Sequence, residues 1–109
     1  MPLPVETWVA PTELPGVPWL LERLTASGVG SLLLEGGPTT NAAFLAADAL
    51  DEVYWTIDAS LVGSDALSMI APIPHGSPWA ASPRRGTLVS VHRSGEELFL
   101  RYRFESGPP

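Results

Sequence analysis

The residues that are best suited to bind a ligand lie where an apolar run is followed by small side chains. A Glu-Gly-Gly-Pro-Thr-Thr sequence occupies residues 35–40. Pro38 suits the first turn of a helix, and a helix N-terminus presents unpaired N–H groups and the positive end of its dipole. Gly36 and Gly37 have no Cβ atom to keep a phosphate away from the backbone. The pattern indicates a strand-to-helix turn that can bind a phosphorylated ligand through main-chain amides.

The same turn also has a purely structural interpretation. A Gly-Gly-Pro connection taken alone is more often only a turn between a strand and a helix. It is neither a Walker A loop, because no Gly-Lys-Ser/Thr follows, nor a Gly-x-Gly-x-x-Gly fingerprint. Glu35 alone would more often be the partner of a helix terminus than a ligand of a substrate. At the C-terminal end of a central strand, however, it points to the crevice where open α/β sheets bind ligands.

The composition excludes several kinds of site. The 109 residues include 12 carboxylates, six arginines, no lysine and no cysteine, for a net charge of −6. Schiff-base chemistry on lysine, disulfides and thiolate metal sites are therefore excluded, and nonspecific binding of nucleic acid is not expected. The apolar run at residues 31–34 is too short to cross a membrane, and residues 1–4 do not begin a secretory signal. We expect a cytoplasmic protein.

The elements around the turn follow a strand–helix–strand rhythm, which favours an α/β architecture. Residues 5–9 predict a short strand. Apolar residues recur at helical spacing from Val17 to Leu24, and Gly28 is expected to end that helix. Residues 29–35 predict a central strand covered on both faces, because their apolar core does not alternate. A second helix is expected to begin at Pro38.

The second half predicts a further strand and a hairpin. The strand is expected to start at Asp51-Glu52, and residues 71–86 to form a Pro-rich irregular loop. Residues 87–93 and 97–104 predict a hairpin with a tight turn at Ser94-Gly95, and residues 105–109 a loose tail. We expect one domain spanning residues 1–109, with a mixed sheet, flanking helices and a C-terminal antiparallel hairpin.

Most of the chain resembles a known family, the reductase domain of the bifunctional riboflavin-biosynthesis deaminase/reductase and its stand-alone pyrimidine reductase relatives. The strongest motif is Leu-Leu-Leu-Glu-Gly-Gly-Pro-Thr at residues 32–39. Asn-Ala-x-x-Leu at residues 41–45, Leu-Asp-Glu-Val at 50–53 and Leu-Val-Gly at 61–63 are also similar to the family pattern. The ending Leu-Phe-Leu-Arg-Tyr-Arg at residues 98–103 resembles the family's last strand.

The resemblance implies a dihydrofolate-reductase-like fold, NADPH as cofactor, and reduction of a phosphoribosylaminopyrimidine to its ribitylamino product. Glu35 would contact the substrate, and the Gly36–Gly37 peptide is often cis in such folds. No catalytic residue or metal ligand is carried over. The NADPH diphosphate would be lined by Gly36, Gly37, Pro38, Thr39, Thr40, Asn41, Ala42 and Ala43.

Two departures from the family pattern leave alternatives open. The family domain is longer, and its part before the residue 5–9 strand has no counterpart here, so the chain matches the C-terminal part of the domain. Ala59-Ser60 also stands where the family usually has Ala-Pro. We therefore expect a homodimer or completion by another chain. The alternatives are a truncated, noncatalytic nucleotide-binding or dimerisation module, and a reductase acting on another pteridine or pyrimidine.

Other candidate residues have weaker patterns. His75 and His92 are expected to be ordinary surface or hairpin residues rather than metal ligands. Asp51-Glu52 is expected to be a solvated strand entrance rather than an acid/base pair. Arg84-Arg85 fits a solvated pair beside a loop better than a site for the 2′-phosphate of NADPH, although arginine often takes that role.

Overall fold

The structure, a computed structural model, describes residues 4–10, 16–73 and 83–105. They divide into two compact units, one formed by residues up to Leu33 and the other by residues from Leu34 onward. The elements are α1 (Gly16–Ala26), α2 (Pro38–Ala46), β1 (Glu52–Ile57), β2 (Thr87–Ser94) and β3 (Glu97–Arg103).

Helix α1 dominates the first unit and ends as the sequence predicts. Gly28 has φ +87°, a conformation that favours glycine. The N–H of Val29 donates to the carbonyl of Leu24 at 3.0 Å, and the N–H of Gly28 donates to the carbonyl of Thr25 at 3.0 Å. This pair of bonds is a Schellman motif, which satisfies carbonyls at the helix end. The predicted C-terminal stop is confirmed.

The prediction of a strand at residues 5–9 is wrong. These residues are irregular, and Val9 is 82% exposed. Instead, Trp8 donates from Nε1 to Glu6 at 2.8 Å, and the guanidinium of Arg23 lies 4.7 Å from the centre of the indole ring. A strand needs a neighbour to pair its backbone groups, and no described residue pairs with this segment.

The prediction of a buried central strand at residues 29–35 is also wrong. The segment is irregular up to α2, with Leu32 47% and Leu33 76% exposed. An apolar run without alternation forms a strand when other strands flank it and both faces are covered. In the described part of the chain, the three strands pair only with one another.

Helix α2 begins at Pro38, as the sequence predicts. Phe44 is buried, and its carbonyl accepts the N–H of Ala49 at 2.9 Å. The N–H of Asp48 donates to the carbonyl of Leu45 at 3.0 Å, which completes a second Schellman motif. Here the left-handed position is taken by Asp48, with φ +55°, a conformation that aspartate tolerates better than most residues.

The sheet has the order β1-β3-β2, and both pairings are antiparallel. The predicted strand at Glu52 and the predicted hairpin are confirmed. The hairpin turn is one residue later than expected, because Ser94 pairs with Glu97 and leaves Gly95 and Glu96 in the loop. Gly95 has φ +59°, as two-residue hairpin loops require at that position. The expected mixed sheet is not found among the described strands, because residues 29–35 do not join them.

Two expectations lie partly outside the described residues. Residues 71–73 and 83–86 of the predicted Pro-rich loop are irregular, whereas residues 74–82, with His75, are not described. Residues 106–109 of the predicted tail are not described either. Neither of the two described helices has the length and apolar character that a membrane crossing requires.

Candidate functional site

Gly36 and Gly37 form the turn that leads into α2. Gly36 has φ +89°, in the region that favours glycine, and the Gly36–Gly37 peptide bond is cis, as the resemblance implied. Gly37 is the residue that caps α2, with φ −80°. A Cβ atom built there would meet nothing within 4 Å in the described part of the molecule. The backbone at Gly37 is therefore open to close approach.

The N-terminus of α2 offers main-chain donors without a competing side chain. Within residues 16–73 and 83–105, no side chain accepts a capping hydrogen bond there. The N–H of Asn41 donates to the carbonyl of Gly37 at 2.9 Å and begins the helical bonding. The amides of Thr39 and Thr40 come before that bond, and both residues are exposed. They can donate to an anion.

The first turn of α2 has an exposed side and a covered side. Thr39, Thr40 and Ala43, at helical spacing, are exposed. Pro38 and Asn41, three residues apart, are half-buried. A ligand can therefore approach the turn from the side of the two threonines.

Residues 69–71 lie against the covered side. The Nδ2 of Asn41 donates to the carbonyl of Met69 at 2.8 Å, and the N–H of Ala71 donates to the carbonyl of Pro38 at 3.0 Å. Ala42 is only 6% exposed, so its side chain contributes to the core of this unit. Asn41 and Ala42, which the resemblance assigns to the cofactor, therefore also have structural roles: Asn41 bonds to Met69, and Ala42 is buried. The sequence pattern did not predict these roles.

Glu35 immediately precedes the turn and is exposed. Within the described residues its carboxylate makes no hydrogen bond or ion pair, and it does not cap α2. The structural interpretation of Glu35, as a partner of the helix terminus, is therefore not supported by the described contacts. The carboxylate can accept hydrogen bonds from a ligand placed near the turn.

A shallow depression of about 280 Å³ lies on the sheet, away from the turn in sequence. None of residues 35–43 lines it. Its lining residues are Tyr54, Trp55, Thr56, Ser90, His92, Phe99, Leu100 and Arg101.

One end of this sheet face carries an ion-pair cluster that the sequence patterns did not predict. Arg101 donates from Nε to Oε2 of Glu52 at 2.9 Å and from Nη2 to Oε1 at 2.6 Å. Tyr54 donates its hydroxyl to Glu52 at 3.1 Å, and Arg103 lies 3.6 Å from the same carboxylate. These contacts, the hydrogen bond from Arg101 above all, lower the pKa of Glu52. A carboxylate held in its charged form is a structural partner rather than an acid/base group.

Arg84 is not the solvated residue that the sequence favoured. Its side chain is 7% exposed, forms an ion pair with Asp48 at the end of α2, and donates to the carbonyl of Glu105. The guanidinium also lies 5.9 Å from the centre of the Phe104 ring. Arg85, by contrast, is exposed. Arg84 therefore secures the end of α2 within its own unit.

Comparison with known proteins gives consistent matches. The family model described as the RibD C-terminal domain matches residues 12–100. The 2,5-diamino-6-ribosylamino-4(3H)-pyrimidinone 5′-phosphate reductase of Methanothermobacter thermautotrophicus is 35% identical over 98 residues, which are 89% of this chain and 44% of that protein. The solved structure of Acinetobacter baumannii RibD, form 2, superposes with a TM-score of 0.70 at 25% identity, over 86% of this chain and 26% of that one.

The length of the family-model match is sufficient to assign the family. The chain spans only 44% of the length of the curated relative. The family model nevertheless covers residues 12–100, which include both helices, β1, β2 and most of β3. The chain therefore belongs to the RibD C-terminal domain family, the dihydrofolate-reductase-like pyrimidine reductases of riboflavin biosynthesis.

Proposed function

We propose that this chain binds NADPH and serves the reduction of a phosphoribosylaminopyrimidine to its ribitylamino product. The observation that carries the proposal is the N-terminus of α2, which is exposed and has no side-chain cap in the described part of the chain. The curated relative, named as a reductase of a ribosylaminopyrimidinone phosphate, supports the substrate class.

The chain's own residues fit a dinucleotide diphosphate at this turn. The amides of Thr39 and Thr40 and the positive end of the α2 dipole attract an anion, and the two hydroxyls add donors. Gly37 leaves the backbone accessible at the same point. An acidic chain without lysine can bind a phosphate in this way, because main-chain N–H groups replace side-chain cations.

Glu35 is the proposed substrate ligand. It is exposed beside the turn, where its carboxylate can accept hydrogen bonds from the amino or hydroxyl groups of the substrate. NADPH, when bound, supplies the hydride. The contribution of the protein is then to bind and orient the two reactants, and no proton-transfer residue is assigned.

A noncatalytic nucleotide-binding module is the second candidate. One observation favours it: the depression of about 280 Å³ lies on the sheet, and no residue of the turn lines it. A module of this kind would bind NADPH through α2 without turning over substrate. Its diphosphate site at the start of α2 would be the same as that of the reductase candidate.

The two candidates differ in turnover. Titration with NADPH and NADH, followed by thermal shift and by quenching of tryptophan fluorescence, tests cofactor binding. Consumption of NADPH with the aminopyrimidine phosphate tests the reaction. We expect stabilisation by NADPH and substrate-dependent oxidation. Binding without oxidation supports the noncatalytic module, and absence of binding contradicts both candidates.

Substitution of Glu35 by glutamine tests the assigned role of the carboxylate. We expect Glu35→Gln to lower turnover about tenfold or more, because a charged hydrogen bond to the substrate is lost. The NADPH dissociation constant should stay within about twofold, since Glu35 is not assigned to the diphosphate. Steady-state kinetics and NADPH titration measure the two quantities.

The control is Glu22→Gln, which removes the same charge from an exposed position of α1. This variant should match the unaltered chain in both measurements. Equal losses of turnover and NADPH affinity in Glu35→Gln would contradict the assignment.

A further inference from the structure

Residues 69–71, here called the flanking segment, run along the first turn of α2. The carbonyl of Met69 accepts a hydrogen bond from Asn41 at 2.8 Å, and the N–H of Ala71 donates to the carbonyl of Pro38 at 3.0 Å. Pro38 and Asn41 are the half-buried residues of that turn. The flanking segment is therefore tied to the covered side of the turn at two points.

The side chain of Asn41 also meets the loop that precedes α2. A Cβ atom built on Gly36 would lie 3.6 Å from Nδ2 and 4.0 Å from Oδ1 of Asn41. The amide group therefore lies where a side chain at residue 36 would contact it, while it donates to Met69. One side chain on the first turn of α2 thus bonds to the flanking segment and lies beside the glycine turn.

This arrangement engages the side-chain amide of Asn41 in a contact within the protein. Its side-chain nitrogen is already bonded to Met69 on the covered side of the turn. The exposed side is formed by Thr39, Thr40 and Ala43. The first main-chain donors of α2 belong to two of these exposed residues, Thr39 and Thr40, whereas the amide of Asn41 is bonded to the flanking segment.

We propose that Asn41 is a positioning residue. Its amide fixes the flanking segment to the first turn of α2 and so holds the N–H groups of Thr39 and Thr40 in place for the cofactor diphosphate. The inference rests on the proposed function, because it concerns the same turn, but it assigns Asn41 an indirect role where the family resemblance implies a direct one.

The test compares three variants by hydrogen exchange, NADPH titration and steady-state kinetics. Asn41→Leu keeps a similar volume and removes the donor, Asn41→Gln keeps an amide, and Thr40→Val alters the exposed side of the same turn. Hydrogen exchange of the Ala71 amide reports the flanking segment, and titration reports the NADPH dissociation constant. Exchange at Leu100 in β3 shows whether the fold is intact, and Asn41→Ser replaces the leucine variant if it is not.

In Asn41→Leu we expect exchange at Ala71 to accelerate about fivefold to tenfold, because one hydrogen bond no longer holds the segment. The NADPH dissociation constant should rise by a similar factor, and the KM for NADPH should rise while kcat stays within about twofold. Asn41→Gln should recover most of both losses. Thr40→Val should leave Ala71 exchange unchanged.

The outcomes separate this inference from the proposed function. Weaker NADPH binding with unchanged Ala71 exchange would make Asn41 a direct ligand and overturn the positioning role alone. Faster Ala71 exchange with unchanged affinity would overturn it as well, because the flanking segment would have no bearing on the site. A chain that does not bind NADPH at all would remove both the proposed function and this inference.

Discussion

Glu52 at the start of β1 accepts hydrogen bonds from two residues on the same face of the sheet. Arg101, from the adjacent strand β3, donates twice, and Tyr54 donates its hydroxyl. The Glu52 side chain is 25% exposed, so water screens the pair only in part. The hydrogen bond from Arg101 is the main cause of the lowered pKa of Glu52.

This lowered pKa predicts an acid-dependent loss of stability. The pKa of Glu52 falls from its ordinary value of 4.5 on folding, so the unfolded chain binds this proton more readily. The stabilising contribution is therefore complete above about pH 4.5 and is lost as the pH falls through the folded-state pKa. Glu52→Gln should lower the urea midpoint near neutral pH, and the difference from the unaltered chain should shrink at about pH 3.

Glu97→Gln is the matched control, because Glu97 is an exposed carboxylate on β3. It should show little difference from the unaltered chain at either pH. A deficit of Glu52→Gln that is the same near neutral pH and in acid would show that the ionised pair with Arg101 does not stabilise the fold.

At the scale of elements, the C-terminal end of α2 combines two features at Asp48. The residue adopts a left-handed conformation, and its carboxylate pairs with the nearly buried guanidinium of Arg84. Removal of one charge from such a pair leaves the partner poorly compensated. The end of α2 is therefore a sensitive point of its unit.

Asp48→Asn should destabilise the chain by about 1–3 kcal/mol, because asparagine tolerates the left-handed conformation but does not supply the charge. Chemical denaturation measures the change. Asp65→Asn, at an exposed position outside the helices, should alter stability by less than about 0.5 kcal/mol. If the two variants were equally stable, the Asp48–Arg84 pair would have no role in securing α2.

Local signals predicted the elements that need only local information. Pro38 and the small residues after it predicted α2, and Gly95 predicted a hairpin turn to within one residue. Residues 5–9 and 29–35 were predicted as strands, but a strand also depends on neighbours that its own sequence does not specify. The unbroken leucine run at residues 31–34 indicates burial between other strands, which the described part of this chain does not supply.

In the candidate site, too, local features were predicted from the sequence and long-range contacts were not. The glycine turn and the exposed threonines were identified from the sequence, because their chemistry lies within a few consecutive residues. The bond from Asn41 to Met69 spans 28 positions. Likewise, the bond from Arg101 to Glu52 spans 49 positions, and its geometry depends on the register of β1 against β3. Such contacts require the fold and cannot be derived from spacing alone.

At the scale of the whole molecule, the net charge of −6 opposes the binding of an anion such as NADPH. The proposed binding of NADPH therefore depends on local main-chain donors that outweigh the negative net charge at one helix terminus. A carboxylate placed at that terminus would satisfy the same donors from within the protein. It would stabilise the helix and compete with the ligand.

The most direct measurement is the NADPH dissociation constant of Thr39→Asp beside that of Thr25→Asp. The first puts a carboxylate in the first turn of α2, and the second puts it in the last turn of α1. We predict that Thr39→Asp gains about 0.3–1 kcal/mol of stability and binds NADPH about tenfold or more weakly. Thr25→Asp should lose stability and bind NADPH normally. Unchanged NADPH affinity in Thr39→Asp, or equal weakening in both variants, would contradict a diphosphate site at the start of α2.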